Sequence, residues 1–194
     1  MCKCCRQFCG RTFRMAYAER LDDPATESLR EAFSIGTQRS FEQDPRFGLS
    51  VLAEIASHAL SPAVNDPGTA IDVIGRAVRV LSLWKGRSEA QEAPIPECSR
   101  VFAPALDVDD MFDDIFGPIA RDGAGIVEVG VRLQKALCLL GRGSDLAFTA
   151  AVVKHSELAV KRAELALKLE EDKQALRELA SKTRQCALLQ PGRS

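Results

Sequence analysis

Asp-Pro occurs three times, as Asp23-Pro24, Asp44-Pro45 and Asp66-Pro67, and an amphipathic segment follows each. Aspartate accepts hydrogen bonds from the free N–H groups of a helix's first turn, and its charge opposes the positive dipole end. Proline suits the first helical position, where its missing N–H would have had no partner. Three helix starts, 21 and 22 residues apart, are therefore written into the first half of the chain. In the segment 45–60, Val51, Leu52, Ile55, Ala56, Ala59 and Leu60 share one half of a helical wheel and are expected inward. In 67–84, Ile71, Ile74, Ala77, Val78 and Leu81 form the apolar stripe, while Asp72, Arg76 and Arg79 face water. The short "SPAVN" between them predicts an antiparallel helical hairpin.

Residues 85–106 hold three prolines and a glycine among scattered charges, and read as a long surface connection. Beyond it, 107–123 is a helix with Met111, Phe112, Ile115 and Ile119 inward. "GAG" turns the chain, and 126–140 is again apolar at helical spacing, closed by Gly141. From Ser144 a long helix is expected, with Glu157/Lys161, Glu164/Lys168 and Glu178/Lys182 as i,i+4 pairs and a possible break at "EEDK" (170–173). No segment alternates in the manner of a strand. The expected fold is all-α, a helical bundle of about five to seven helices in two halves joined by the Pro-rich connection. Its parts are a disordered, basic, Cys-rich leader (1–20), a helical domain (21–188, divided as 21–84, 85–106 and 107–188) and a tail (189–194).

Charge is balanced, with 26 Lys and Arg against 27 Asp and Glu, and basic residues nowhere form a stripe with aromatics between them. Nucleic-acid binding is therefore excluded. No run of the roughly 20 apolar residues needed for a membrane span is present, and no secretory signal opens the chain, so the sequence as it stands is expected in the cytoplasm. Of seven cysteines, Cys2, Cys4, Cys5 and Cys9 crowd the start, and Cys98, Cys138 and Cys186 are scattered singly. An odd number without an export signal argues against a disulfide framework. The leader's spacing lacks the paired knuckles of common zinc sites.

Polar side chains concentrate in "SHALSPAVNDPGTA" (57–70). Asp66 is explained as a helix cap, Asn65 tolerates the left-handed conformation of a tight turn, and His58 lies one turn from Glu54. A Ser–His–Asp triad does not fit, because Ser61 sits in no nucleophile elbow. Arg39, Gln43 and Asp44 precede the second helix while His58, Ser61, Asn65 and Asp66 lie at its far end. A helix of about 15 residues holds those clusters some 22 Å apart. Five aspartates in 107–114 offer the alternative of a divalent-metal site, with Asp109, Asp110 and Asp113 as ligands, although the spacing is not that of an EF-hand loop. His155 reads as an interior or boundary histidine.

The stretch "AFSIGTQRSFEQDPRFGLSVLAEIASHALSPAVNDPGTAIDVIGR" (32–76) carries Arg39, then Gln43–Leu49, then Ala59–Ala70 as long motifs with fixed polar residues. It resembles the signature of an uncharacterised bacterial family of predicted membrane proteins, domain of unknown function 2254. Weaker similarity extends the resemblance to about 30–170. The resemblance brings no established activity and leaves the cofactor unknown. It implies full-length relatives in the bacterial inner membrane, with this part outside the bilayer.

The combined expectation is a non-catalytic, ligand- or partner-binding helical domain. Arg39, Gln43, Asp44, His58, Ser61, Asn65 and Asp66 are its candidate binding residues, and the alternative is a metal-dependent hydrolase built on the aspartate cluster. Self-association is expected through the alanines of the C-terminal helix (Ala147, Ala150, Ala151, Ala159, Ala163 and Ala166), and a membrane-embedded partner or transmembrane half is a further expected contact.

Overall fold

A computed structural model of the chain describes residues 17–18, 22–31, 44–90, 101–102, 106–143 and 145–188. The architecture is all-α: α1 (Asp23–Glu31), α2 (Pro45–Ala59), α3 (Pro67–Ala90), α4 (Val108–Asp122), α5 (Val127–Leu140), α6 (Leu146–Ala166) and α7 (Glu170–Leu188). One two-residue antiparallel ladder accompanies them, β1 (Tyr17–Ala18) on β2 (Val101–Phe102), with Tyr17 opposite Phe102. Two units are distinguished. The smaller comprises residues 1–39 and 92–106, with α1 and the ladder; the larger comprises 40–91 and 107–194, with α2 to α7.

Capping follows the Asp rule, with one correction. Asp44 accepts from Phe47 N at 3.2 Å and Asp66 from Thr69 N at 3.1 Å, each three residues on. The first helix is capped by Asp22, which accepts from Ala25 N at 3.0 Å, and not by Asp23. Asp23 already lies inside the helix, so its side chain cannot reach the first-turn donors. Asp107 and Asp145 cap α4 and α6 in the same manner.

Pairs of contacts give the direction of each helix in the larger unit. Arg46 reaches Asp110 and Asp114 while Ser57 lies beside Asp122, so α2 and α4 advance together. Lys154 reaches Asp109, and Arg162 donates to Gly117 O at 3.2 Å, so α4 and α6 do likewise. A Cβ on Gly75 would stand 3.1 Å from the Arg132 guanidinium, and Lys85 Nζ donates to Leu140 O at 3.1 Å, which makes α3 and α5 parallel. Arg177–Glu164 and Arg184–Glu157 run in opposite senses, as do Gln134–Ser156 and Gly141–Val152. The result is three helical hairpins, α2–α3, α4–α5 and α6–α7, set side by side. Within the larger unit α2, α4 and α6 form one layer and α3, α5 and α7 the other.

The core lies between the layers. Leu49, Ile74 and Leu81 from before the connection join Phe112, Phe116, Leu137 and Phe148 from after it in a single cluster. The connection divides the chain but not the core. Phe112 is its centre, edge-on to Phe116 at 5.2 Å and to Phe148 at 5.6 Å.

Three local expectations are corrected. Helix α3 continues to Ala90 instead of ending at 84, because buried Lys85 is held by the carbonyls of Leu140 at the end of α5 and of Arg142 just beyond it, and lies 5.3 Å from the Phe148 ring. Glu157 and Glu164 do not pair with lysines one turn on; they cross to Arg184 and Arg177 of α7. A guanidinium from a packed neighbour offers several donors where a mobile lysine offers a point charge. The break in the final segment, expected at 170–173, falls at residues 167–169, and α7 begins at Glu170. Of the segment's alanines, Ala151, Ala159 and Ala163 are buried within the chain, and Ala147, Ala150 and Ala166 are exposed.

Phe112→Ala removes the ring at the centre of the cluster, and such truncations cost about 3–5 kcal/mol. A urea unfolding midpoint reduced accordingly, with unchanged helical circular dichroism in water, is the expected result.

Candidate functional site

The hairpin α2–α3 ends the row of helices, and an open groove of about 480 Å³ lies along it. Val51, Glu54, Ile55 and His58 of α2 line one side; Val64, Asp66 and Thr69 of the turn and of α3 line the other. Two apolar side chains stand open in it, Ile55 at 46% and Val64 at 45% exposure. Ile55 was expected inward. Ala56, Ala59 and Leu60 are buried as expected, but Leu49 and Ala53 join them in the place of Val51 and Ile55, so the arc is rotated by part of a turn. Small residues at 53 and 56 allow a close approach, and this arc packs against the core while Val51 and Ile55 move to the rim.

The turn beneath the groove is tightly specified. Ser61 N donates to His58 O, Ser61 O accepts from Val64 N and Asn65 N, and Asp66 N closes the loop on Ala59 O at 2.8 Å. Asn65 is the non-glycine residue with positive φ, 49°, as expected of an asparagine in a reversal of this kind. Asp66 takes both the backbone N–H and the hydroxyl of Thr69, the latter at 2.6 Å. Those bonds, the hydroxyl first, hold its carboxyl below the ordinary 3.8.

Of the candidate binding residues, the groove brings together His58 and Asp66, with Ser61 and Asn65 in the turn below them. Asp44 is at the other end of α2, as its cap. Arg39 and Gln43 lie outside the described residues. Glu54, Ile55, Val64 and Thr69 are additional groove residues. Thr69 belongs to the quoted polar stretch, but nothing local marked Ile55 as exposed.

The aspartate cluster does not converge on one point. Asp114 accepts from Arg46 Nε at 2.6 Å and Nη2 at 3.0 Å, and Asp110 accepts from Nη1 at 2.6 Å. Asp109 and Asp113 turn instead to Lys154, at 2.6 and 3.2 Å. The metal reading required Asp109, Asp110 and Asp113 to face one ion; they face two cations on different helices. Among the described residues no group of three or more His, Cys, Asp or Glu is placed to hold a metal. The pairs raise the Arg46 and Lys154 pKa values, in each case chiefly through the hydrogen bond to an aspartate.

Behind Lys154, His155 is buried at 3% exposure among Phe112 and Phe116. Its Nε2 stands 3.3 Å from Asp113 Oδ1 without hydrogen-bond alignment. Burial lowers its pKa, and the Asp113 charge opposes that effect. Gln134 and Ser156 satisfy each other in the core: Gln134 Nε2 donates to Ser156 O at 3.0 Å and Ser156 Oγ to Gln134 Oε1 at 2.6 Å. Both sites are interior structure, away from the groove.

The hairpin and its turn coincide with the long polar motif of the sequence, and a family model described as predicted membrane protein, DUF2254, matches residues 8–138. The chain belongs to the DUF2254 family. An uncharacterized protein of Mycobacterium bovis and uncharacterized proteins of two strains of Mycobacterium tuberculosis are each 48% identical over 54 residues, which is 28% of this chain and 10% of each relative. The matched part of the chain thus spans about a tenth of the length of those relatives. No solved structure matches. Among the described residues of this DUF2254 member, no helix is long and apolar enough to cross a membrane.

Asp66→Ala removes both Thr69 bonds and should lower the thermal unfolding midpoint at pH 7. Because the folded pKa is below the ordinary 3.8, the contribution is complete above that value and is lost as pH falls through the lower folded value. The difference between wild type and variant should therefore narrow under acid, as read by melts from pH 7 downward.

Proposed function

We propose that this part of the DUF2254 protein is a non-catalytic recognition domain whose groove on α2–α3 receives an apolar segment bearing Lys or Arg from a membrane-embedded partner. The observation that carries this reading is the pairing of exposed Ile55 and Val64 with Glu54 and Asp66 on the rim of one groove. Apolar side chains left open beside like-signed charges suit a ligand with the complementary pattern. Segments flanking membrane helices on the cytoplasmic side are rich in Lys and Arg beside apolar residues. Membership of a family described as predicted membrane proteins, with relatives much longer than the matched segment, supplies a source for such a ligand. The aspartates that would have served hydrolysis are engaged by Arg46 and Lys154.

The test uses two synthetic amphipathic helices, identical except that one carries Lys where the other carries Glu. Titrated into the isotope-labelled full chain, the Lys peptide should shift the amide signals of Ile55, His58 and Val64, and Ile55→Glu should abolish the effect. Equal response to both peptides, or shifts confined to α6 and α7, would reject the groove as the recognition surface.

A further inference from the structure

Three close approaches fix how α7 lies against α5. A Cβ on Gly130 would stand 3.1 Å from the Leu176 methyls, Thr183 Oγ1 donates to Gln134 O at 3.1 Å, and a Cβ on Gly141 would stand 3.2 Å from Ala187 Cβ and 3.4 Å from its Cα. The paired positions advance together from 130 to 141 and from 176 to 187, so the two helices are parallel and in register along this seam. Gly141 lets the α7 backbone come nearer than any side chain would allow.

Within the last part of the seam lie Cys138, one turn beyond Gln134, and Cys186, next to Ala187. The register set by Gln134–Thr183 and Gly141–Ala187 places the two cysteines opposite each other across the seam, and each is partly exposed. Burial first, and then the bond to Cys186, push the Cys138 thiol up to about 11. Cys138 therefore keeps its proton at neutral pH. Two cysteines that face each other on helices held by the Gln134–Thr183 bond and the Gly141–Ala187 approach need little rearrangement to bond. They lie outside the groove and outside the α2–α4–α6 ion pairs.

We propose that Cys138 and Cys186 are a redox couple that forms a reversible disulfide joining α5 to α7, made by exchange with a small disulfide such as oxidised glutathione. In the first step the sulfur of Cys186 displaces one glutathione thiolate and becomes a mixed disulfide. In the second, Cys138 gives up its proton, attacks the Cys186 sulfur and releases the second glutathione. Two electrons pass from the protein dithiol to the glutathione disulfide, and two molecules of reduced glutathione leave with the two protons. The bond closes the α6–α7 hairpin onto α5.

The test is made on the full reduced chain, treated with oxidised glutathione, blocked with N-ethylmaleimide and cut with trypsin without reductant. The expected product joins peptide 136–142 to peptide 185–193 and is dissolved by dithiothreitol. Cys138→Ser should instead accumulate glutathione on Cys186. Recovery of the two wild-type peptides separately, carrying maleimide or glutathione, while the leader cysteines cross-link would overturn the proposal, as would linkage of either peptide to the leader in its place.

Discussion

Helix α4 has to satisfy both neighbours in its layer at once, and the rest of the larger unit is arranged around that demand. Its inward face supplies Met111, Phe112, Ile115, Phe116 and Ile119, all buried. Its outer flanks carry two pairs of aspartates, one gripped by Arg46 of α2 and the other by Lys154 of α6. The magnitudes rank these roles. Exposed ion pairs contribute about 0–1 kcal/mol each, whereas a single buried phenylalanine contributes about 3–5 kcal/mol. Apolar packing therefore holds α4 in place, and the ion pairs select which neighbours it has and how they are aligned.

That division of labour also explains the long motif shared with the family. Asp44, Asn65 and Asp66 are consumed by helix starts and a reversal, and Arg46 by alignment with α4. Much of the signature thus encodes a hairpin and its attachment. What remains unassigned to architecture is the rim of the groove: Glu54, Ile55, His58 and Val64. The residues that build the hairpin and those that face outward from it are interleaved along the same fourteen-residue stretch and the helix before it.

Local chemistry was legible in the sequence. Caps at Asp44 and Asp66, the left-handed Asn65, the inward face of α4, the Gly141 stop and the buried His155 each follow from rules acting over a few residues. Long-range partnership was not. Nothing adjacent in sequence told Glu157 to prefer Arg184, Asp110 to prefer Arg46, or Cys138 to face Cys186, since the members of each pair are 27 or more residues apart. The rotation of α2 was missed for a related reason. Periodicity finds an apolar arc, but with Ala53 and Ala56 beside Val51 and Ile55 two overlapping arcs compete, and only the neighbours choose between them.

The parallel arrangement within each layer bears on how the chain finds this structure. Neighbours in a layer are never consecutive in sequence: α2 meets α4 across α3 and the connection, and α5 meets α7 across α6. A layer therefore cannot assemble as a sheet of adjacent segments, because loop closure must first bring distant residues together. The α2–α3 and α6–α7 hairpins pack across short links and can form from local contacts, whereas the α2–α4 and α5–α7 pairs must wait for loop closure. A nascent chain would hold its first hairpin unmatched until the second emerged.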